Sequence, residues 1–147
     1  MPRAIQFAAA LFGAALFHGT AHAQADPFPG VTFIPITAEQ AREVKRELRN
    51  AVLYVDVRSP KAAATSPGII DAQVPFAEMP LSFENDINAA LLSRGLYFTD
   101  PVIVIGSDGR QARLVSERLA EIGYSKILVV TDGFDRQPNA RTARANP

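Results

Sequence analysis

The chain has 147 residues, 48% of them hydrophobic, and its 15 basic side chains balance 15 acidic ones. Such neutrality excludes the electrostatic footprint of a nucleic-acid binder or a protein held on an anionic membrane. The complete absence of cysteine excludes disulfides, thiolate nucleophiles and thiol redox chemistry.

Residues 1–23 carry Arg3, an apolar stretch from Ala4 to Phe17 and the small-x-small sequence Ala21, His22, Ala23 before Gln24. This is the layout of a secretory signal peptide. The apolar stretch falls short of the roughly 20 residues that span a bilayer. Cleavage is therefore expected, giving a periplasmic or secreted protein with no membrane association. No twin arginine precedes the apolar stretch, so export in an unfolded state without a bound cofactor is expected. Both histidines, His18 and His22, lie in the segment to be removed. Metal ligation would then fall to oxygen donors alone, and Asp132 with Asp135 is too sparse a set for a calcium site, so no metal is expected.

Residues 24–35 contain Pro27, Pro29, Gly30 and Pro35 and read as an extended lead-in, with a short strand near Val31 to Ile34. Thr37 with Gln40 forms a capping-box signal, after which Ala41, Val44 and Leu48 share one helical face. The opposite face carries Arg42, Glu43, Arg46 and Glu47 and reads as solvated. Ala51 to Val57 follows as an apolar run typical of a strand covered on both sides. Asp56 interrupts it, sharing a face with Tyr54, and Arg58 joins them just beyond. Either Asp56 and Arg58 form a buried structural pair, or Arg58 serves as an anion ligand at a strand's carboxyl end.

Ile69 to Val74 predicts a short strand closed by Pro75, and Phe76 to Phe83 an apolar segment, either a loop packed over the core or a partner-binding edge. A helix is predicted from Phe83 to Arg94, with Ser82 as candidate cap, Ile87, Ala90 and Leu91 facing the sheet, and Gly95 as its stop. Pro101 opens a β-branched strand, Val102 to Ile105. Next comes a helix on which Ala112, Val115, Leu119 and Ile122 fall at i, i+3, i+7 and i+10, with Gly123 at its end. Lys126 to Val130 is the last strand, Thr131 to Asp135 a turn, and residues 137–147 a disordered tail. Strands alternating with helices at this spacing imply an α/β domain with a parallel sheet and helices on both faces.

The loop Gly106, Ser107, Asp108, Gly109, Arg110, Gln111 lies between the β-branched strand and the helix after it. Its amides and the helix dipole suit an anion, assisted by Arg110 or Arg113. The competing reading makes Asp108 the N-cap of that helix, with its own carboxylate on the amides an anion would use. Ser107 could act as a nucleophile only with a base, for which Asp56, Asp108 and Lys126 are the available residues.

The order of ITAEQA (36–41), LYVDVRSP (53–60), PGIIDAQVPF (67–76) and TDGFD (131–135) resembles the rhodanese-like family over residues 36–136. These match, in turn, the family's first-helix opening, its leucine-x-aspartate-valine-arginine strand, its glycine-histidine-isoleucine segment and its glycine-glycine-hydrophobic turn. The resemblance implies a single rhodanese-like domain whose active loop begins at the sulfur-carrying cysteine. Gly106 holds that position here, Gly109 matches the loop glycine, and the family's landmark histidine falls at Gly68. Sulfur transfer needs a thiolate to attack and hold sulfane sulfur. The expectation is an exported, catalytically inactive rhodanese-like protein, acting as an interaction or regulatory module with another exported protein. The alternatives are a small-anion or sulfur-oxyanion binding protein and, third, an enzyme with non-standard residues.

Overall fold

The computed structural model of the protein describes residues 27–63, 69–76 and 82–133. The expected signal peptide, Gly68, residues 77–81 of the apolar segment, residues 134 and 135 of the last turn and the residues after them lie outside this set. Five strands form one sheet in the order β1-β5-β4-β2-β3, with every pairing parallel. They are β1 (Thr32–Ile36), β2 (Leu53–Asp56), β3 (Ala72–Gln73), β4 (Val102–Ile105) and β5 (Lys126–Val130). The helices are α1 (Ala38–Leu48), α2 (Pro60–Ala63), α3 (Phe83–Leu92) and α4 (Gly109–Glu121).

The alternation of strand side chains divides the core in two, because successive residues point to opposite faces. Leu53, Val55, Val102, Val104, Ile127 and Val129 pack beneath α3 and α4, against Ile87, Leu91, Val115 and Leu119. Val52, Tyr54, Ile103, Ile105, Leu128 and Val130 pack on the other face against Ala38, Ala41 and Val44 of α1. Both faces are dry, which is why the central strands are continuous apolar runs. Each buried aliphatic side chain contributes about 1.5–3 kcal/mol. This is the α/β class, with helices on both faces, expected from the sequence.

Local signals act as anticipated at several ends. Thr37 Oγ1 accepts the Gln40 N–H at 3.1 Å and Gln40 Oε1 accepts the Thr37 N–H at 2.8 Å, completing the capping box. After α4, Tyr124 N–H reaches the Leu119 carbonyl and Gly123 N–H that of Ala120. With Gly123 at φ 106°, this is a Schellman motif. The same pair of bonds closes α3, from Leu96 to Leu91 and from Gly95 to Leu92.

Other boundaries shift for physical reasons. The lead-in contains a full edge strand, β1, paired with β5 from Thr32 to Ile36; Pro35 is tolerated because an edge strand needs no donor on its outer side. Strand β2 starts only at Leu53, since Arg49–Ala51 form a 3-10 turn. Ser82 makes no side-chain cap: its backbone (φ −82°, ψ −14°) is already helical, whereas a capping hydroxyl needs an extended residue. Phe83, stacked edge-on against Phe76 at 5.0 Å, takes the buried place expected of Ala90, which is half-buried. The predicted strand Ile69 to Val74 narrows to Ala72–Gln73, although Asp71, Val74 and Phe76 continue to donate to β2 carbonyls or just beyond. Among the described residues no helix is long and apolar enough to cross a membrane.

Burial raises the phenols of Tyr54 and Tyr124 above their ordinary range. A phenol kept neutral in the fold ionises first in the unfolded chain, so its contribution is complete below pH of about 10 and is lost as pH rises further. The urea midpoint should therefore fall above pH of about 10, and Tyr54→Phe or Tyr124→Phe should flatten that fall.

Candidate functional site

The chain leaves β2 toward β3 and β4 toward β5, so the two neighbouring strands diverge at their carboxyl ends. In open parallel sheets this is where ligands bind. The residues singled out from the sequence cluster around that end, but in separate groups.

Asp56 and Arg58 form a closed pair. The Arg58 Nε donates to both carboxylate oxygens at 3.0 and 3.2 Å, and a terminal nitrogen donates to Oδ2 at 2.7 Å. The Arg58 backbone N–H adds a bond to Oδ1 at 3.0 Å. Arg58 is 1% exposed and Asp56 0%. This is the structural-pair arrangement; a guanidinium so enclosed is not presented to an anion from solvent.

The loop after β4 is satisfied largely from within. Asp108 is extended (φ −141°, ψ 174°) and caps α4, its Oδ1 accepting the Gln111 N–H at 2.8 Å. Gln111 folds its carboxamide back, and Oε1 accepts the Ser107 N–H at 2.8 Å. Two amides expected to face a ligand thus have internal acceptors, in the manner of a capping box displaced by one residue. A Cβ added to Gly106 would stand 2.9 Å from Gln111 Oε1 and 3.0 Å from the Ala112 nitrogen. The Gln111 carboxamide therefore occupies the space into which a side chain at position 106 would emerge.

The bases proposed for Ser107 are committed elsewhere. Asp56 is locked to Arg58, Asp108 caps α4, and Lys126 begins β5 at the opposite end of the sheet.

Asp108, Gly109, Arg110 and Arg113 join Thr131 and Asp132 around an open cleft of about 520 Å³. The part played by the turn after β5 was not legible in the sequence beyond its glycine. Asp132 Oδ1 accepts the Ala38 N–H at 2.8 Å, so this carboxylate serves the start of α1. The turn also presses on the loop: a Cβ on Gly109 would collide with the Thr131 carbonyl, and one on Gly133 with that of Ser107. Arg113 pairs with Glu117 at 3.1 Å, and Arg110 is exposed. The cleft thus brings two guanidinium groups beside two carboxylates, with little net charge to hold an anion. Among the described residues no group of three or more His, Cys, Asp or Glu is placed to hold a metal ion.

No family model matches the chain, and no curated protein matches it. Among solved structures it is similar to Rv0390 from M. tuberculosis, at 22% identity and a TM-score of 0.50, over 76% of this chain and 86% of that one. A likeness at this identity shows a shared fold.

Removing one partner of the buried pair should be costly: Asp56→Ala is expected to lose about 3–5 kcal/mol of stability, measured by urea unfolding. Asp108→Ala should lose about 0.5–2 kcal/mol, the value of an N-cap. Gly109→Ala should lose about 1–3 kcal/mol, because its methyl meets backbone rather than a movable side chain.

Proposed function

We propose that the chain is an exported, catalytically inactive rhodanese-like protein that acts as an interaction or regulatory module for another exported protein. The observation that carries this reading is the Gln111 carboxamide beside Gly106, bonded to the Ser107 amide at 2.8 Å. A persulfide loop needs a thiolate at its head and free amides around it. Here the head is a glycine, and side chains of the loop itself take the Ser107 and Gln111 amides. The ordered landmarks from Ile36 to Asp135 support the family, and the signal-peptide pattern of residues 1–23 supports export. Interaction modules need a rigid surface more than a reactive group, and the two dry cores supply one.

The second reading, a small-anion or sulfur-oxyanion binder, draws on exposed Arg110 and on Arg113 at the cleft. Asp108 and Asp132 on the same walls oppose it.

Amide NMR of the full chain with sulfate, thiosulfate and phosphate distinguishes the two. The expected result is no saturable shift in residues 106–111 at millimolar anion. Saturable shifts confined to those residues would replace the module reading with the anion reading. Gly106→Cys alone should show no thiosulfate sulfurtransferase activity, because the loop remains filled by Gln111. The double variant Gly106→Cys, Gln111→Ala removes the carboxamide but leaves the Ala112 nitrogen at 3.0 Å and the Asp108 carbonyl at 3.1 Å from a Cβ at position 106, so it too should show none. Measurable sulfurtransferase activity in it would make the carboxamide the sole obstacle.

A further inference from the structure

Helix α1 carries its charges in two stripes. Glu39, Glu43 and Glu47 recur every four residues, while Arg42, Lys45, Arg46 and Arg49 fall at i, i+3, i+4 and i+7. Within each stripe like charges fall together, while Glu39 with Arg42 and Glu43 with Arg46 at (i, i+3) offset the repulsion. The basic set, with Asn50, Ile69 and Asp71, lines a cleft of about 420 Å³ where the end of α1 meets the chain entering β3. This end of α1 is remote from the loop described above, because the start of α1 is the part tied to Asp132.

Part of the basic set has an ordinary structural role. Lys45 Nζ donates to the carbonyls of Arg49 and Val52 at 2.6 and 3.2 Å, satisfying groups at the helix end and offsetting its dipole. Lys45 also meets Asp71 Oδ2 at 2.5 Å, while Arg94 meets Asp71 Oδ1 at 2.9 Å. The Tyr54 N–H donates to the same carboxylate at 2.8 Å. Asp71, the acid in this lining, is thus fully engaged and only 7% exposed.

Arg46 and Arg49 are not explained in this way. Both are exposed, and neither forms an ion pair among the described residues. Arg49 also sits at φ 50° and ψ −107°, a backbone that glycine adopts at far less cost. Stability would select glycine there, so the arginine side chain needs another reason.

We infer that this cleft docks an acidic segment of a partner protein, whose carboxylates pair with Arg46 and Arg49. The inference rests on the module reading and assigns its surface. Arg46 and Arg49 are about 4.5 Å apart along the axis, at 1.5 Å per helical residue. Alternate side chains of an extended chain lie about 7 Å apart, a spacing that two long arginine side chains reach by splaying apart. A guanidinium fork matches a carboxylate bidentately, and charges on an open rim steer association. A single phosphate would need cations that converge rather than run in line. A second copy could offer Glu39, Glu43 and Glu47, but that contact would have no apolar seam, and exposed ion pairs contribute little alone.

The test is amide NMR of the full chain with hexaglutamate as probe, at about 50 mM salt, where screening is modest. Saturable shifts confined to residues 42–50 and 69–73 are expected, with affinity falling at least about tenfold in Arg46→Glu, Arg49→Glu and again on raising salt to about 300 mM. Because both side chains are exposed, the variant should keep the amide dispersion of the parent, with its thermal midpoint moved only by the small effect of acidic groups at a helix C-terminus. An unshifted cleft, an affinity indifferent to the double variant, or equal shifts with inorganic phosphate would overturn the inference. So would concentration-dependent dimerisation that the double variant abolishes, which would make the occupant a second copy. An unshifted cleft with an equally silent 106–111 loop would overturn the docking surface alone. Shifts centred on 106–111 would overturn the module reading as well.

Discussion

The loop after β4 and the turn after β5 touch backbone to backbone, and the carboxyl end of the sheet is organised by that contact. It requires hydrogen atoms where other residues carry Cβ, at Gly109 facing Thr131 and at Gly133 facing Ser107. Gly133 also has φ 65°, so two demands meet in one residue. Through this contact the starts of α4 and α1 come close together. Asp108 serves the first helix start and Asp132 the second. Carboxylates at helix N-termini compensate the dipole, which explains why a region suited to anions is lined instead by the protein's own acids.

The same logic covers Gln111. An anion-binding loop and a self-capped loop present identical backbone; the difference lies in which acceptor fills the concavity. An internal acceptor loses no translational freedom on binding, whereas a free anion does. Asp108 and Gln111 therefore occupy their amides ahead of a dilute ligand. With glycine at position 106, the carboxamide has room to do so. The glycine at position 106 and the closure of the loop by Gln111 thus go together.

The surface is patterned by residues that the core does not dictate. The core side of α1 is specified by Ala38, Ala41 and Val44, leaving its outer residues free to separate acid from base. Lys45 shows how a structural role and a surface pattern overlap, since it ties Asp71 and the helix end together while contributing charge to the cleft.

Short-range physics made much of the fold legible in the sequence. Capping at Thr37 and Asp108, the glycine stops at Gly95 and Gly123, and the apolar runs of β2, β4 and β5 each depend on residues within a few positions. Even the Asp56–Arg58 pair is local, two residues apart along one strand end. Tertiary contacts decided what lies far apart in sequence. The Asp132 bond to Ala38 spans 94 positions. Asp71 captures Lys45 from 26 positions away. The pressure of Thr131 on Gly109 depends on the sheet order that sets β5 beside β4. Periodicity says which face of an element is buried, but not which neighbour buries it. For that reason the sequence by itself determined the α/β class, the absence of any thiolate and Asp108 as a candidate cap, while only the tertiary structure decided between the cap and an open anion loop, the enclosure of that loop and the gathering of α1's basic residues around a cleft.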